Sequence, residues 1–522
     1  MTNGTASPKA TTKEWIGLAV LTLACLVYAM DLTVLNLAVP LMSADLQPSS
    51  AQLLWILDIY GFLVAGSLIT MGTLGDRIGR RKLLLFGAAW FALASLLAAF
   101  STSAEMLIAG RALMGIAGAT IAPSTLSLIF TMFQDQKERS TAIGFWVAAY
   151  SAGGAVGPVL GGILLEFFWW GSVFLLGVPV MVLLLVLGPR MLPEYKDEKA
   201  RGLDIRSAAM SLLAILSVVY GLKEIAQDGL SLEPMVAVAF GVVLGALFVR
   251  RQLTLASPLI DVRLFRIRAF SASLGAYLLG IFVAVGFFIF IAQYLQLVLG
   301  LSPFTAALWS LPSFFGFTVG SLAGPKLIHR FPPGHVMGAG LGVGALGAAL
   351  LLGLRVDDSA LSLGFVVAAS LVMSLALAPV VLLATELIVG TAPPEQAGAA
   401  TGMSETSGEL GGALGIAVLG SLGTAVYRRE LAANMPSEVP GPTADVARDT
   451  LGAAIEVAAT LPDTVGAALV LAAQSSFIDA IRIVAAVTAV IAIAAAAAAA
   501  AGLRSVPKRA EAPAAAPEAA AG

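Results

Sequence analysis

Apolar residues fill this chain in long unbroken blocks, not in the alternation of a strand or the one-sided stripe of a soluble helix. Fourteen blocks reach the roughly 20 residues that a helix needs to cross a ~30 Å hydrocarbon core. They lie near 15–42, 51–72, 83–100, 106–131, 140–164, 168–188, 205–222, 232–249, 269–299, 304–327, 336–354, 361–388, 397–426 and 477–502. The pattern predicts an all-α integral membrane protein with 14 transmembrane helices. Three stretches stand apart: a charged linker at 189–201, a long loop at 428–476, and a tail at 507–522 of Ala, Pro and Glu, expected to be disordered. Within the long loop, 451–461 and 465–473 are apolar-periodic and read as short surface helices.

Composition agrees, with 58% hydrophobic and 12% charged residues over 522 positions, where soluble chains carry about a quarter charged residues. Cys25 is the one cysteine, so an internal disulfide is excluded. The formal charge of −2 and the lack of a basic patch beyond what membrane topology requires argue against a nucleic-acid partner. Lys223, Arg355, Arg428, Arg429 and Arg448 fall on one side of the predicted spans, Arg111 and Arg482 lie within helices, and the other 23 of the 30 basic residues fall on the opposite side. The bias of Lys and Arg toward the cytoplasm then places both termini inside. His329 and His335 read as solvated residues of an inner loop, and no metal or other cofactor is expected.

Ionisable residues inside spans are expensive and therefore informative. A carboxylate at the centre of a membrane helix costs roughly 2.5–3.5 kcal/mol on insertion scales, so Asp31 should face a polar cavity or a partner. At 1.5 Å per residue, Asp31 lies about 16 Å, Asp58 about 10 Å and Arg111 about 9 Å from the outer ends of helices 1, 2 and 4. Arg111 is thus placed to pair with Asp31 until substrate or a conformational change separates them. Glu405 and Glu409 share one face of helix 13, about 12 and 18 Å from its inner end, where an entering cation meets them early. Glu386, close to the inner end of helix 12, is expected to snorkel to the interface. Aromatic faces attract cations by about 0.5–2 kcal/mol, and Trp55 and Tyr60 are singled out as a pair flanking Asp58. Each of these residues also has a plainer reading, as a packing acid, a polar seam or an interfacial aromatic.

Two local motifs are sharper. Between helices 2 and 3 runs Gly72-Thr-Leu-Gly75-Asp76-Arg77-Ile-Gly79-Arg80-Arg81-Lys82, where glycines permit a tight turn and the basic residues hold the loop inside. Helix 5 carries Gly153-Gly-Ala-Val-Gly157-Pro158-Val-Leu-Gly161-Gly162, a smooth face with a proline that bends the helix. With Gly110-Arg111-Ala-Leu-Met-Gly115, Asp31-Leu-Thr-Val-Leu-Asn36-Leu-Ala-Val-Pro40 and Trp55-Ile-Leu-Asp58-Ile-Tyr60, the chain resembles the major facilitator superfamily, in its branch of 14-helix drug:proton antiporters. The equivalent loop of the second half, Gly320-Ser-Leu-Ala-Gly324-Pro-Lys326-Leu-Ile-His329-Arg330, has lost the Asp, and helix 10 lacks the acid that some relatives carry.

The resemblance implies a major facilitator fold with two six-helix bundles, at 15–188 and 269–502, and two inserted helices within 189–268. The segments 1–14 and 503–522 are then cytoplasmic. It implies alternating access around a site between the bundles, with Asp31, Arg111 and Asp58 in proton coupling and Asp58, Glu405, Glu409, Trp55 and Tyr60 at the substrate. Gly72, Asp76, Arg77, Gly79, Arg80, Gly157 and Pro158 are the gating residues. The expected protein is a monomer in a bacterial inner membrane, in contact with membrane lipid, that exports lipophilic cations and other amphiphilic drugs against protons. An exporter dedicated to one endogenous amphiphile stays open as the alternative. No phosphate-binding Gly-x-x-x-x-Gly-Lys-Ser/Thr loop points to ATP. The dispersed acids argue against a membrane enzyme, and a transport-dead sensor would carry a soluble output domain.

Overall fold

A computed structural model describes residues 9–48, 50–196, 204–228, 231–255, 258–355, 359–393 and 396–506. The tail 507–522 and the linker positions 197–203 lie outside these residues. Among the described residues thirteen helices are long and apolar enough to cross a membrane, and the bent helix Gln136–Phe167 makes fourteen. These are the spans that the hydrophobic blocks predict.

The first half begins with α1 (Thr12–Leu46), α2 (Ser50–Ile78) and α3 (Arg80–Ala99). α4 runs over Ala104–Gly118 and resumes as Ile121–Met132. The break precedes Pro123, which has no N–H to give the carbonyl four residues back. α5 (Gln136–Phe167) is capped by Asp135, whose carboxylate accepts from the Lys137 and Glu138 N–H groups at 2.9 and 3.0 Å. It bends by 40° between the segments ending at Gly154 and starting at Val159, around the Gly157-Pro158 step. α6 is Gly177–Met191. The hairpin of α7 (Ile205–Asp228) and α8 (Leu232–Gln252) follows, pinned at its foot by an Arg251–Asp204 ion pair of 2.8 Å.

The second half contains α9 (Arg268–Gln293), α10 (Pro303–Arg330), α11 (Pro333–Leu350), α12 (Ser359–Thr391) and α13 (Ala397–Gly415). α13 passes through a π-helical turn into Ser421–Asn434. Short α14 (Gly441–Asp449) and α15 (Leu451–Ala458) precede α16 (Asp463–Gly502). Two expectations change here. The segment 465–473 is no separate surface helix but the first turns of α16, because no breaker interrupts 463–502. His329 and His335 lie within α10 and α11, not in a loop.

Within the first half α5 packs on α1, and α3 on α4 and α6; within the second α12 packs on α10 and α11, and α13 on α9. The α7–α8 hairpin reaches the rest mainly through α7 on α2. The halves meet along α2–α13 and α5–α10. Both contacts are tightest toward the end of the molecule that holds the basic loop 72–82, hereafter the basic end. An added Cβ at Gly72 would lie 2.2 Å from the Gly398 carbonyl oxygen, and one at Gly144 would lie 2.9 Å from that of Ser321.

Candidate functional site

Arg111 donates to Asp31 at 2.7 Å, and both side chains are buried. The pair joins α4 to α1. A second guanidinium bond reaches the Ile56 carbonyl on α2 at 3.2 Å, and the cation lies 4.7 Å from the centre of the Tyr60 ring and 5.9 Å from that of Phe174. A buried ion pair survives only when its remaining hydrogen-bonding capacity is met, and here helix 2 supplies that. Val27, Met30, Val34 and Phe91 line a small apolar recess beside Asp31.

Tyr60 connects this pair to the other half. Its hydroxyl donates to the Tyr28 carbonyl at 3.4 Å, and the Tyr28 ring lies 6.4 Å from Tyr60 and 5.9 Å from Tyr150. Trp146 extends the cluster, 6.5 Å from Tyr150, with its indole N–H donating to Thr125 at 3.0 Å. From α13, Glu405 and Glu409 are both within electrostatic reach of Tyr28, Tyr150 and Tyr277. Glu405 is buried, and its Oε1 finds no hydrogen-bond partner among the described residues. A buried carboxylate oxygen left in that state calls for a proton, a water or a ligand. The result is a tyrosine-lined centre with Asp31–Arg111 on one flank and two glutamates on the other, assembled from both halves.

Not every expected neighbour arrives there. Trp55 is 44% exposed and stacks edge-on with Phe62, whereas Tyr60 is fully buried against Arg111. They do not flank Asp58 as a pair, because two residues on a helix span about 200° and send Asp58 and Tyr60 to opposite faces. Asp58 is partly exposed, on α2 above the ion pair. Pattern reading passed over Tyr28 and Tyr277, which sit in apolar runs where a tyrosine looks like packing.

At the basic end the loop 72–82 becomes a joint between the halves. Asp76 Oδ1 accepts from Arg80 Nε at 3.0 Å and from the Gly398 N–H at 3.1 Å, while Oδ2 accepts from the Ala399 N–H at 3.1 Å. Those amides open α13, so the carboxylate faces the positive end of a helix dipole. Arg80 also donates to the Ser127 carbonyl and to Thr131. Gly79 has φ 114°, a conformation glycine adopts without strain, and a side chain there would strike the Glu194 carboxylate. Glu194 in turn accepts from the Arg81 and Lys82 N–H groups at 3.1 and 3.2 Å, so the linker itself caps α3. Arg77 donates to the Pro258 carbonyl at 3.4 Å. Gly157 is buried in α5 at its bend, and Pro158 belongs to the same helix. The flanking Gly153 and Gly161 approach Leu26 and Val34 of α1, while Gly154 faces Phe314 of α10, so this motif packs mainly but not wholly inside the first half. Glu386 departs from expectation: it is buried and accepts from the Ser140 hydroxyl at 2.6 Å, because α5 of the other half covers the end of α12.

Comparison with known proteins fits this geometry. Residues 21–416 match the model of the Major Facilitator Superfamily. The chain is 43% identical to the multidrug efflux pump LfrA of Mycolicibacterium smegmatis, over 91% of its own length and 93% of the relative's. It is 37% identical to the methyl viologen resistance protein SmvA of Salmonella typhimurium, over 89% and 93% respectively. Among solved structures, a bacterial homologue of the human lysosomal transporter Spinster superimposes with a TM-score of 0.55 at 18% identity, covering 95% of this chain and 99% of that one. The chain belongs to the major facilitator superfamily, and its relatives there include proteins named for multidrug efflux and for drug resistance.

Proposed function

We propose that this protein is a proton-coupled antiporter that exports lipophilic cations and other amphiphilic drugs across a bacterial inner membrane. The basic end is the cytoplasmic one and holds both termini. Residues 15–188 and 269–502 are the two moving bundles, and the α7–α8 hairpin rides with the first. The observation that carries the reading is the Asp31–Arg111 pair, an acid and its counter-ion buried together beside a tyrosine-lined centre that two further acids face. Proton arrival at Asp31 releases Arg111, and the freed cation repels a bound cationic substrate. This links the two fluxes without a shared ligand.

Several features support export of cations. Tyrosine faces and carboxylates together suit a flat aromatic cation. Relatives named for multidrug efflux and for resistance to methyl viologen, a dication, suggest the same substrate class. The halves are pressed together at the basic end, which suits an outward-facing stage of the cycle. Asp31→Asn keeps the shape and removes the titrating group, and the expected outcome is loss of ΔpH-driven dye efflux from proteoliposomes with insertion unchanged. Normal ΔpH-driven efflux by that variant would remove Asp31 from coupling.

A further inference from the structure

The second half lacks its own copy of the Asp76 latch. The loop 320–330 aligns with 72–82 by pseudosymmetry, yet no acid stands in it. Pseudosymmetry asks that loop to grip the start of α5, as Asp76 grips the start of α13. The start of α5 is gripped, by a carboxylate from another helix. Glu386, near the basic end of α12, accepts from the Ser140 hydroxyl in the second turn of α5 at 2.6 Å. That hydroxyl also faces its own Gln136 carbonyl at 3.0 Å, so the single proton lies on the shorter, charge-assisted bond.

The surroundings are those of a joint and not of a lipid-facing end. Glu386 is buried although it sits a turn and a half from the end of its helix. It borders a cavity of about 220 Å³ together with Arg139, Gln136 and Thr391, walled by Phe130 and Leu383. Arg139 lies over the Phe130 ring at 5.2 Å. α5 and α12 belong to different halves, so these two cannot separate at the basic end without breaking the Ser140–Glu386 bond. We infer that Glu386 and Ser140 form a second inter-half latch that replaces the missing acid of loop 320–330 and holds the basic end shut in parallel with Asp76. Resting on the alternating-access reading above, this makes Glu386 a positioning residue that touches no substrate.

The test reads conformation directly, apart from transport. Spin labels on Gln134 and Phe331, exposed positions on the two sides of the basic end, report its opening as a distance distribution in detergent and in nanodiscs. Loss of a hydrogen bond to a buried charge should raise the open-to-closed ratio about tenfold in Glu386→Ala. Ser140→Ala should open it as well, and the double variant should go no further than Glu386→Ala alone, since the bond between them is then already lost. Glu386→Gln keeps an acceptor and should restore most of the closed population. Ser140→Ala is small enough to fold if Glu386→Ala does not. An unchanged distribution in Ser140→Ala, or effects of the two substitutions that simply add, would overturn the latch. Asp76→Asn in the same background separates the readings: opening there alone retains alternating access and rejects Glu386.

Discussion

At the scale of single residues the centre divides its charges between the halves, and the division has a consequence for selectivity. Asp31 is neutralised by Arg111, whereas Glu405 keeps a carboxylate oxygen unpartnered among the described residues. At an effective dielectric near 20 and about 6 Å separation, one unit pair is worth about 3 kcal/mol, and a dication feels twice what a monocation feels. Glu405→Gln or Glu409→Gln should therefore raise KM for a bis-quaternary substrate by up to roughly a hundredfold more than for its mono-quaternary counterpart. Asp31→Asn should abolish efflux of both. Matched substrates in vesicles with an imposed pH gradient make the comparison, and equal losses for the two classes would assign the glutamates to structure or coupling. The acids were legible in the sequence because burying them is costly and needs a reason. Tyr28 and Tyr277 were not, since a phenol in an apolar helix carries no such signal. Glu386 was misplaced for a physical cause: distance along a helix gives depth, but only the neighbour across the interface, Ser140, decides burial.

At the scale of elements the loop 72–82 acts through the start of α13. Asp76 meets two free amides there, and charge at a helix N-terminus is worth about 0.3–1 kcal/mol, up to about 2 when partly buried. Asp76→Asn should thus shift the closed basic end toward opening by roughly two- to thirtyfold. Turnover should fall while substrate affinity stays, because a conformational equilibrium is biased and no ligand contact is lost. Gly398→Val tests the same joint by steric means, since even its Cβ would sit 2.4 Å from the Gly72 carbonyl oxygen. Weaker binding at an unchanged turnover rate, in equilibrium dye binding set beside transport kinetics, would rule out a latch. The spans themselves were readable because lipid demands long apolar helices. Less readable was the segment 428–476, where short apolar stretches fit either free surface helices or the extension of a span, and where α16 simply continues.

For the whole molecule the outcome of coupling rests on charge balance across the bilayer, something no single side chain reveals. One proton inward for one monovalent cation outward moves no net charge, so the steady gradient should follow ΔpH alone, about 1.4 kcal/mol or tenfold per unit. A dication exchanged for one proton would instead carry a positive charge outward against about 2.3 kcal/mol per 100 mV, a loss of about fiftyfold in gradient. Asp31 in one half and Glu405 in the other give the fold two acids on opposite flanks of one centre, enough for one proton on Asp31 to exchange with a monocation and for a second on Glu405 to join it when a dication is carried. The expected result in proteoliposomes with a clamped potassium potential is that neither a monocation nor a dication gradient responds to 100 mV, inside negative. Glu405→Gln should make the dication gradient alone fall with voltage, since one proton then has to serve two charges. A wild-type dication gradient that already collapses at 100 mV would fix the stoichiometry at one and leave Glu405 with the substrate rather than the proton.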